Sequence, residues 1–175
     1  MKERFEGEGR PNLIDALKRQ EFVGGDEAIA EAMLEQGQLL EFQKGEKLIT
    51  EGGEDNDIYL LVAGSVSIVI KGNEYRTRSA GRHVGEMAAI EPAQKRSATV
   101  VAHDKVVALK LTNAGFMSLG KIYPQIWLPI ARELSPIRPH RCFDGSDARA
   151  SRMIRLFTTD TSRAISPSES RLQAF

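Results

Sequence analysis

The sequence predicts a mainly β domain, an antiparallel barrel or sandwich flanked by helices, and three observations carry that prediction. From residue 38 onward, short apolar runs rich in Val, Ile, Leu and Tyr recur at close intervals. Glycine-bearing turns separate them, and helical periodicity is confined to the segments before and after. Short strands spaced in this way pair antiparallel, whereas a parallel sheet would need a helix between successive strands.

The elements follow in order. Leu13, Ile14 and Leu17, then Ile29, Ala32 and Met33, repeat at helical spacing. Residues 12–35 therefore read as two helices, broken at Gly24-Gly25, with Asp26 capping the second. Strands are expected over 39–42, 47–50, 58–63, 66–71, 74–78, 98–102 and 106–111. Lys44-Gly45, Gly52-Gly53, Gly64-Ser65, Gly72-Asn73 and Gly81 supply the reversals between them. Helix resumes after Asn113, the expected N-cap, with Phe116, Met117 and Leu119 as its apolar face. A further helix starts at Pro124 and carries Ile126, Trp127, Ile130 and Leu134, with a kink expected at Pro129 and a stop at Ser135-Pro136.

Three segments result: a helical lead-in over 1–37, the β domain over 38–135, and an Arg/Ser-rich tail over 136–175. The tail holds 7 Lys+Arg against 4 Asp+Glu, all seven arginine, whereas residues 1–135 hold 17 against 20. Its brief Met153-Ile154 and Leu156-Phe157 patch cannot build a core, so disorder or a non-native continuation is expected there. Over the whole chain 24 basic residues balance 24 acidic ones, which leaves no field to gather nucleic acid or an anionic membrane. No apolar stretch approaches the roughly 20 residues of a membrane span. One cysteine, Cys142, and a charged N-terminus in place of a leader peptide fit the cytoplasm.

The stretch His83 to Ala102 interrupts the strands and carries the chemistry. Gly85-Glu86-Met87-Ala88-Ala89-Ile90 suits one short helical turn entered by a glycine, followed by a loop with Pro92 and then Lys95-Arg96-Ser97 leading into a strand. Such a turn gathers backbone N–H groups, and a glycine lets a ligand approach the backbone closely. Arg96 offers a planar fork for two phosphate oxygens, and Ser97 a hydroxyl at the same rim. Glu86 would repel a phosphate unless it accepted hydrogen bonds from something else, and a ribose hydroxyl is a natural donor.

These residues resemble the phosphate-binding cassette of the cyclic-nucleotide-binding domain family, found in bacterial cAMP receptor transcription factors, protein kinase A regulatory subunits and nucleotide-gated channels. The family pattern, approximately G-E-[LIM]-A-[LA]-[LIF] and then R-[SAT]-A-[TSW]-V, has its counterpart in Gly85 to Ile90 and Arg96-Ser97-Ala98-Thr99-Val100. The ten-residue step from Glu86 to Arg96 resembles the bacterial receptors' spacing, and Lys44-Gly45-Glu46, Gly52-Gly53 and Val62 to Val66 resemble the family's barrel turns. The resemblance implies a jelly-roll-like β-roll with N-terminal helices and a C-terminal lid helix. It implies Glu86 on the ribose 2′-hydroxyl, Arg96 on the cyclic phosphate, and Gly85, Met87, Ala88, Ser97 and Ala98 around the ligand. A serine at Ser97 points to cAMP ahead of cGMP, with cyclic pyrimidines, sensed by related domains in bacterial antiphage proteins, left open. Val69, Arg76, Arg78 and His83 are candidates to approach the base, and Trp127 either caps it or packs in the core.

Catalysis is not expected. His83, His103 and His140 are isolated, so no cupin-like metal set or Ser-His-Asp arrangement forms, and no cofactor is implied. A DNA-binding regulator of the cAMP receptor class would need a helix-turn-helix after the barrel, and residues 136–175 lack two amphipathic helices joined by a glycine turn. The remaining arrangement is a sensor whose effector domain is a fused one, as in bacterial defence proteins that join it to a TIR domain; a homodimer is the other partner left open. The expected role is sensory, with binding transmitted through the C-terminal helices.

Overall fold

The computed structural model describes residues 1–134 apart from 92 and 93, and of residues 88, 89, 133 and 134 the backbone alone. The expectations for the Ala88 side chain, Pro92, the Ser135-Pro136 stop, His140 and the tail over 136–175 lie outside the described residues. The chain divides into two units, Met1–Ile130 and Ala131–Phe175, and both sheets belong to the first.

The strands are β1 (Gly37–Phe42), β2 (Lys47–Ile49), β3 (Ile58–Ala63), β4 (Ser65–Ile70), β5 (Asn73–Ser79), β6 (His83–Val84), β7 (Thr99–Ala102) and β8 (Val106–Leu111). They form two antiparallel four-stranded sheets, β1-β8-β3-β6 and β2-β7-β4-β5. This is the β-roll that the family resemblance implies. β3 and β8 read as nearly unbroken apolar runs because both their faces are covered. On one side Tyr59, Leu61, Val106 and Ala108 meet Leu48, Ile49, Val66, Val100 and Ala102 of the opposite sheet. On the other, α1 (Arg10–Lys18) approaches β3 and α2 (Glu27–Gln36) approaches β8, burying Leu17, Ile29 and Met33 completely. Complete burial of each such side chain contributes about 1.5–3 kcal/mol.

The lead-in is tied to the roll by polar contact as well. Gln20 Nε2 donates to the Leu61 carbonyl at 2.7 Å, and the Phe22 ring stacks on the His83 ring with centroids 3.9 Å apart. Asp26 caps α2 as expected, its carboxylate accepting from the Ala28 and Ile29 N–H groups.

Several details correct the sequence prediction. Beyond α3 (Glu86–Ile90), the next helix, α4 (Asn113–Ile122), is capped by Thr112, whose hydroxyl accepts from the Gly115 N–H at 3.1 Å. Asn113 is therefore its first residue and not its cap. Pro124–Ile126 forms a separate 3-10 turn before α5 (Trp127–Leu134). Pro129 falls in the first turn of α5, where its missing N–H has no intrahelical role, so the expected kink becomes a division between two elements. β4 ends one residue early because Lys71 turns to φ +50 and, with Gly72 at φ +80, makes the two-residue hairpin into β5. β6 is too short to predict; two residues carry no periodicity.

Candidate functional site

The site begins with a backbone requirement. β6 ends at Val84, and Gly85 enters α3 at φ +95, a conformation that side chains strongly resist. A Cβ at Gly85 would also sit 2.6 Å from the Asp57 carbonyl oxygen and 2.9 Å from Arg96 Nη1. Glycine is therefore required twice over.

Arg96 is held by its backbone and its side chain. Its N–H donates to the Gly53 carbonyl and its own carbonyl accepts from the Gly52 N–H, each at 2.9 Å, which fixes residue 96 against the loop leading to β3. The residue is 4% exposed. Its Nη1 donates to the Gly85 carbonyl at 3.0 Å, Nη2 to the Asp57 carbonyl at 2.7 Å, and Nε to Asp55 Oδ2 at 3.0 Å; Nη2 also pairs with Asp55. The Asp57 carboxylate is engaged elsewhere, 2.8 Å from Lys110 Nζ, which it holds above the ordinary lysine value. A planar guanidinium suits this convergence, because its donors fan out in one plane toward separate acceptors.

A cavity of about 180 Å³ opens beside this cradle. Gly85, Glu86, Met87, Arg96, Ser97 and Ala98 all line it, so six of the seven residues singled out in the sequence converge; Ala88 is in α3. Glu86 is buried at 9% exposure, while Ser97 is exposed at the rim. The alternative in which Glu86 and Arg96 simply neutralise each other does not describe Arg96, whose carboxylate partner is Asp55. Arrangements of this kind present donors and one acceptor at a single cavity, which suits an anion carrying a hydroxyl.

The candidates for the base separate. Arg76 and Arg78 line the cavity, and Arg78 is 9% exposed with Nη1 donating to the His83 carbonyl at 3.0 Å. His83 is fully buried under Phe22, and neither it nor Val69 is among the lining residues. Trp127 is half-buried against α4: its Nε1 donates to the Gly120 carbonyl at 3.1 Å, and its ring meets Phe116 edge-on at 5.3 Å.

Sequence reasoning missed Asp55, whose one signal is an acidic turn after Gly52-Gly53. It also missed the apolar wall of Ile49, Ile68, Ile70, Tyr75, Val84 and Val100, contributed by five strands. Among the described residues no group of three or more His, Cys, Asp or Glu could hold a metal ion, and no helix is long and apolar enough to cross a membrane.

Comparison with known proteins bears directly on this geometry. The family model for the cyclic nucleotide-binding domain matches residues 39–123. The Pycsar effector protein BcPycTIR of Burkholderia cepacia is 42% identical over 136 residues, 77% of this chain and 45% of the relative. The chain thus spans less than half the length of the curated relatives it matches. Among solved structures, the regulatory subunit of a cAMP-independent protein kinase A from Trypanosoma brucei aligns with a TM-score of 0.63 and 28% identity, over 73% of this chain and 48% of that one. The regulatory domain of Toxoplasma gondii PKA with cAMP aligns with a TM-score of 0.61 and 21% identity, over 71% and 49%, and so shares the fold. With the β-roll, the cassette and these matches in agreement, the chain belongs to the cyclic nucleotide-binding domain family through its residues 39–123.

Proposed function

We propose that this domain binds a cyclic mononucleotide as the sensory part of a signalling protein, with Arg96 on the cyclic phosphate and Glu86 accepting from the ribose 2′-hydroxyl. The observation that carries this reading is a permanent cation, Arg96, buried to 4% exposure at the wall of a cavity it shares with Glu86 and Ser97. Taking a guanidinium out of water is costly, so it persists where acceptors meet it. The Asp55 carboxylate that meets Nε and Nη2 is half-exposed, and a phosphate, an acceptor of the same kind, would take its place on those two donors. Binding shifts the population of the C-terminal helical arrangement, which is the output.

A pyrimidine base ranks ahead of adenine in this proposal. The similarity to the Pycsar effector BcPycTIR favours the arrangement in which the domain is the sensor of a TIR-type effector responding to a cyclic pyrimidine nucleotide. Ser97 is the argument for cAMP, and guanine follows both. The effector role in that relative's name is not assigned to any residue of this chain.

Calorimetric titration with cUMP, cCMP, cAMP and cGMP under identical conditions tests the proposal. Saturable one-to-one binding is expected, tightest for a pyrimidine nucleotide. Failure of all four to bind would overturn it, and tightest binding of cAMP would overturn the ranking.

A further inference from the structure

Tyr75 has an unusual position for so exposed an aromatic residue. It is 59% exposed on β5, an edge strand, yet it lines the cavity together with its neighbour Arg76 and with Arg78. Consecutive residues of a regular strand point to opposite faces, so Tyr75 and Arg76 could not both reach one cavity without a local irregularity. The register supplies it: Ser67 pairs with Thr77 and Ile68 with Arg76, but the next residue, Val69, pairs with Glu74. Tyr75 is the extra residue of a β-bulge, a device that re-aims side chains and recurs beside functional sites.

The other face of the hairpin holds the bulge in place. The Glu74 carboxylate accepts from Ser67 Oγ at 3.1 Å and from Thr77 Oγ1 at 3.2 Å. Glu74 and Thr77 are three apart and would face opposite ways in a regular strand, so this clamp exists because the strand is bulged.

In the reading proposed above, on which this inference rests, the phosphate and ribose lie against residues 85–87 and 96–98. The flat apolar end of the ligand then meets what the β4–β5 hairpin contributes, Ile68, Ile70 and Tyr75. Trp127, the other aromatic candidate, is committed to Gly120 and Phe116 and does not line the cavity. We infer that Tyr75 is the base-stacking residue of this site, a lid presented by the bulged β4–β5 hairpin. A tyrosine at a rim suits that role, since its ring gives flat apolar area while its hydroxyl stays in water.

The test is calorimetry on the full chain with cUMP, cCMP, cAMP and cGMP, comparing the native protein with Tyr75→Ala, Tyr75→Leu, Tyr75→Phe and Tyr75→Trp. Loss of one stacked base contact corresponds to about 10- to 100-fold in affinity, expected for Tyr75→Ala and Tyr75→Leu with the tightest-binding nucleotide. Tyr75→Phe and Tyr75→Trp keep the ring and stay within about threefold. Native-like affinity in Tyr75→Ala, or rescue by leucine as complete as by phenylalanine, overturns the stacking role while leaving the ligand reading intact. A native chain that binds none of the four nucleotides overturns that reading and this inference with it.

Discussion

Replacing Arg96 separates its two duties. In Arg96→Ala the Gly85 and Asp57 carbonyls each lose a donor, at 3.0 and 2.7 Å, and Asp55 loses its cation. Each carbonyl bond contributes about 1 kcal/mol net. The Asp55 side chain is 46% exposed, so its pair adds no more than about 1 kcal/mol. Stability should fall by about 2–3 kcal/mol, which for a chain of this length lowers Tm by roughly 4–12 °C. Ligand affinity should fall further, by about 2–4 kcal/mol or ~30- to 800-fold, because a charge-assisted two-pronged contact disappears. Arg96→Lys keeps the charge but not the fork; one ammonium cannot span both carbonyls and a phosphate, so it should regain less than half of either loss. Differential scanning calorimetry and nucleotide titration on the same three proteins give both numbers. Equal affinity in native and Arg96→Ala protein would refute the phosphate role, and full rescue by lysine would refute the dependence on fork geometry.

Three other outcomes are expected. Glu86→Gln should weaken nucleotide binding only about two- to tenfold, since an amide oxygen still accepts from a hydroxyl; a loss equal to that of Arg96→Ala in the same titration would remove Glu86 from the ribose. Gly120→Ala places a Cβ 2.4 Å from Trp127 Cζ2, so the ring must leave its seat, costing about 1–3 kcal/mol; the emission of this one tryptophan should shift red, and an unchanged spectrum would contradict the packing. Glu41 is held down to about 2 from 4.5 by Lys105, 2.8 Å away, then by the chain's first amino group and the Lys2 N–H. A depressed carboxyl contributes stability above its unfolded value and loses it as pH falls, so melting curves of native and Glu41→Gln protein should differ above pH ~4.5 and converge towards pH ~2; parallel curves across that window would show the pair is not felt.

What was legible in the sequence was what a period or a short motif encodes. β3 and β8 could be bounded from their apolar runs because burial on both faces leaves no polar interruption except Lys110, which reaches Asp57. Asp26 announced its helix because capping is local chemistry, whereas Thr112 and Asn113 are both competent caps and only the fold chose between them. The cassette end of the cavity was legible for the same reason. Gly85, Glu86 and Arg96 lie within one short stretch, and their residue types dictate their chemistry. Asp55 was not legible: it reaches Arg96 across 41 positions, and an acidic residue in a turn is ordinarily solvated.

The hairpin end of the cavity was illegible for a sharper reason. Alternation assigns Arg76 and Arg78 to one face of β5 and Tyr75 to the other, and that rule is sound for any strand whose register is unbroken. A single extra residue brings Tyr75 back to the face it would otherwise leave. Nothing in Asn73-Glu74-Tyr75-Arg76-Thr77 marks the bulge in advance; the Glu74 clamp on Ser67 and Thr77 becomes visible only once β4 and β5 are paired. On the proposed reading, the phosphate contacts lie in one contiguous cassette, while the stacking residue depends on a strand pairing that a one-residue slip rewrites. If Tyr75 stacks on the base, substitutions in the β4–β5 hairpin should change nucleotide affinity while residues 85–87 and 96–98 stay in place, and titration of the Tyr75 variants reads that directly.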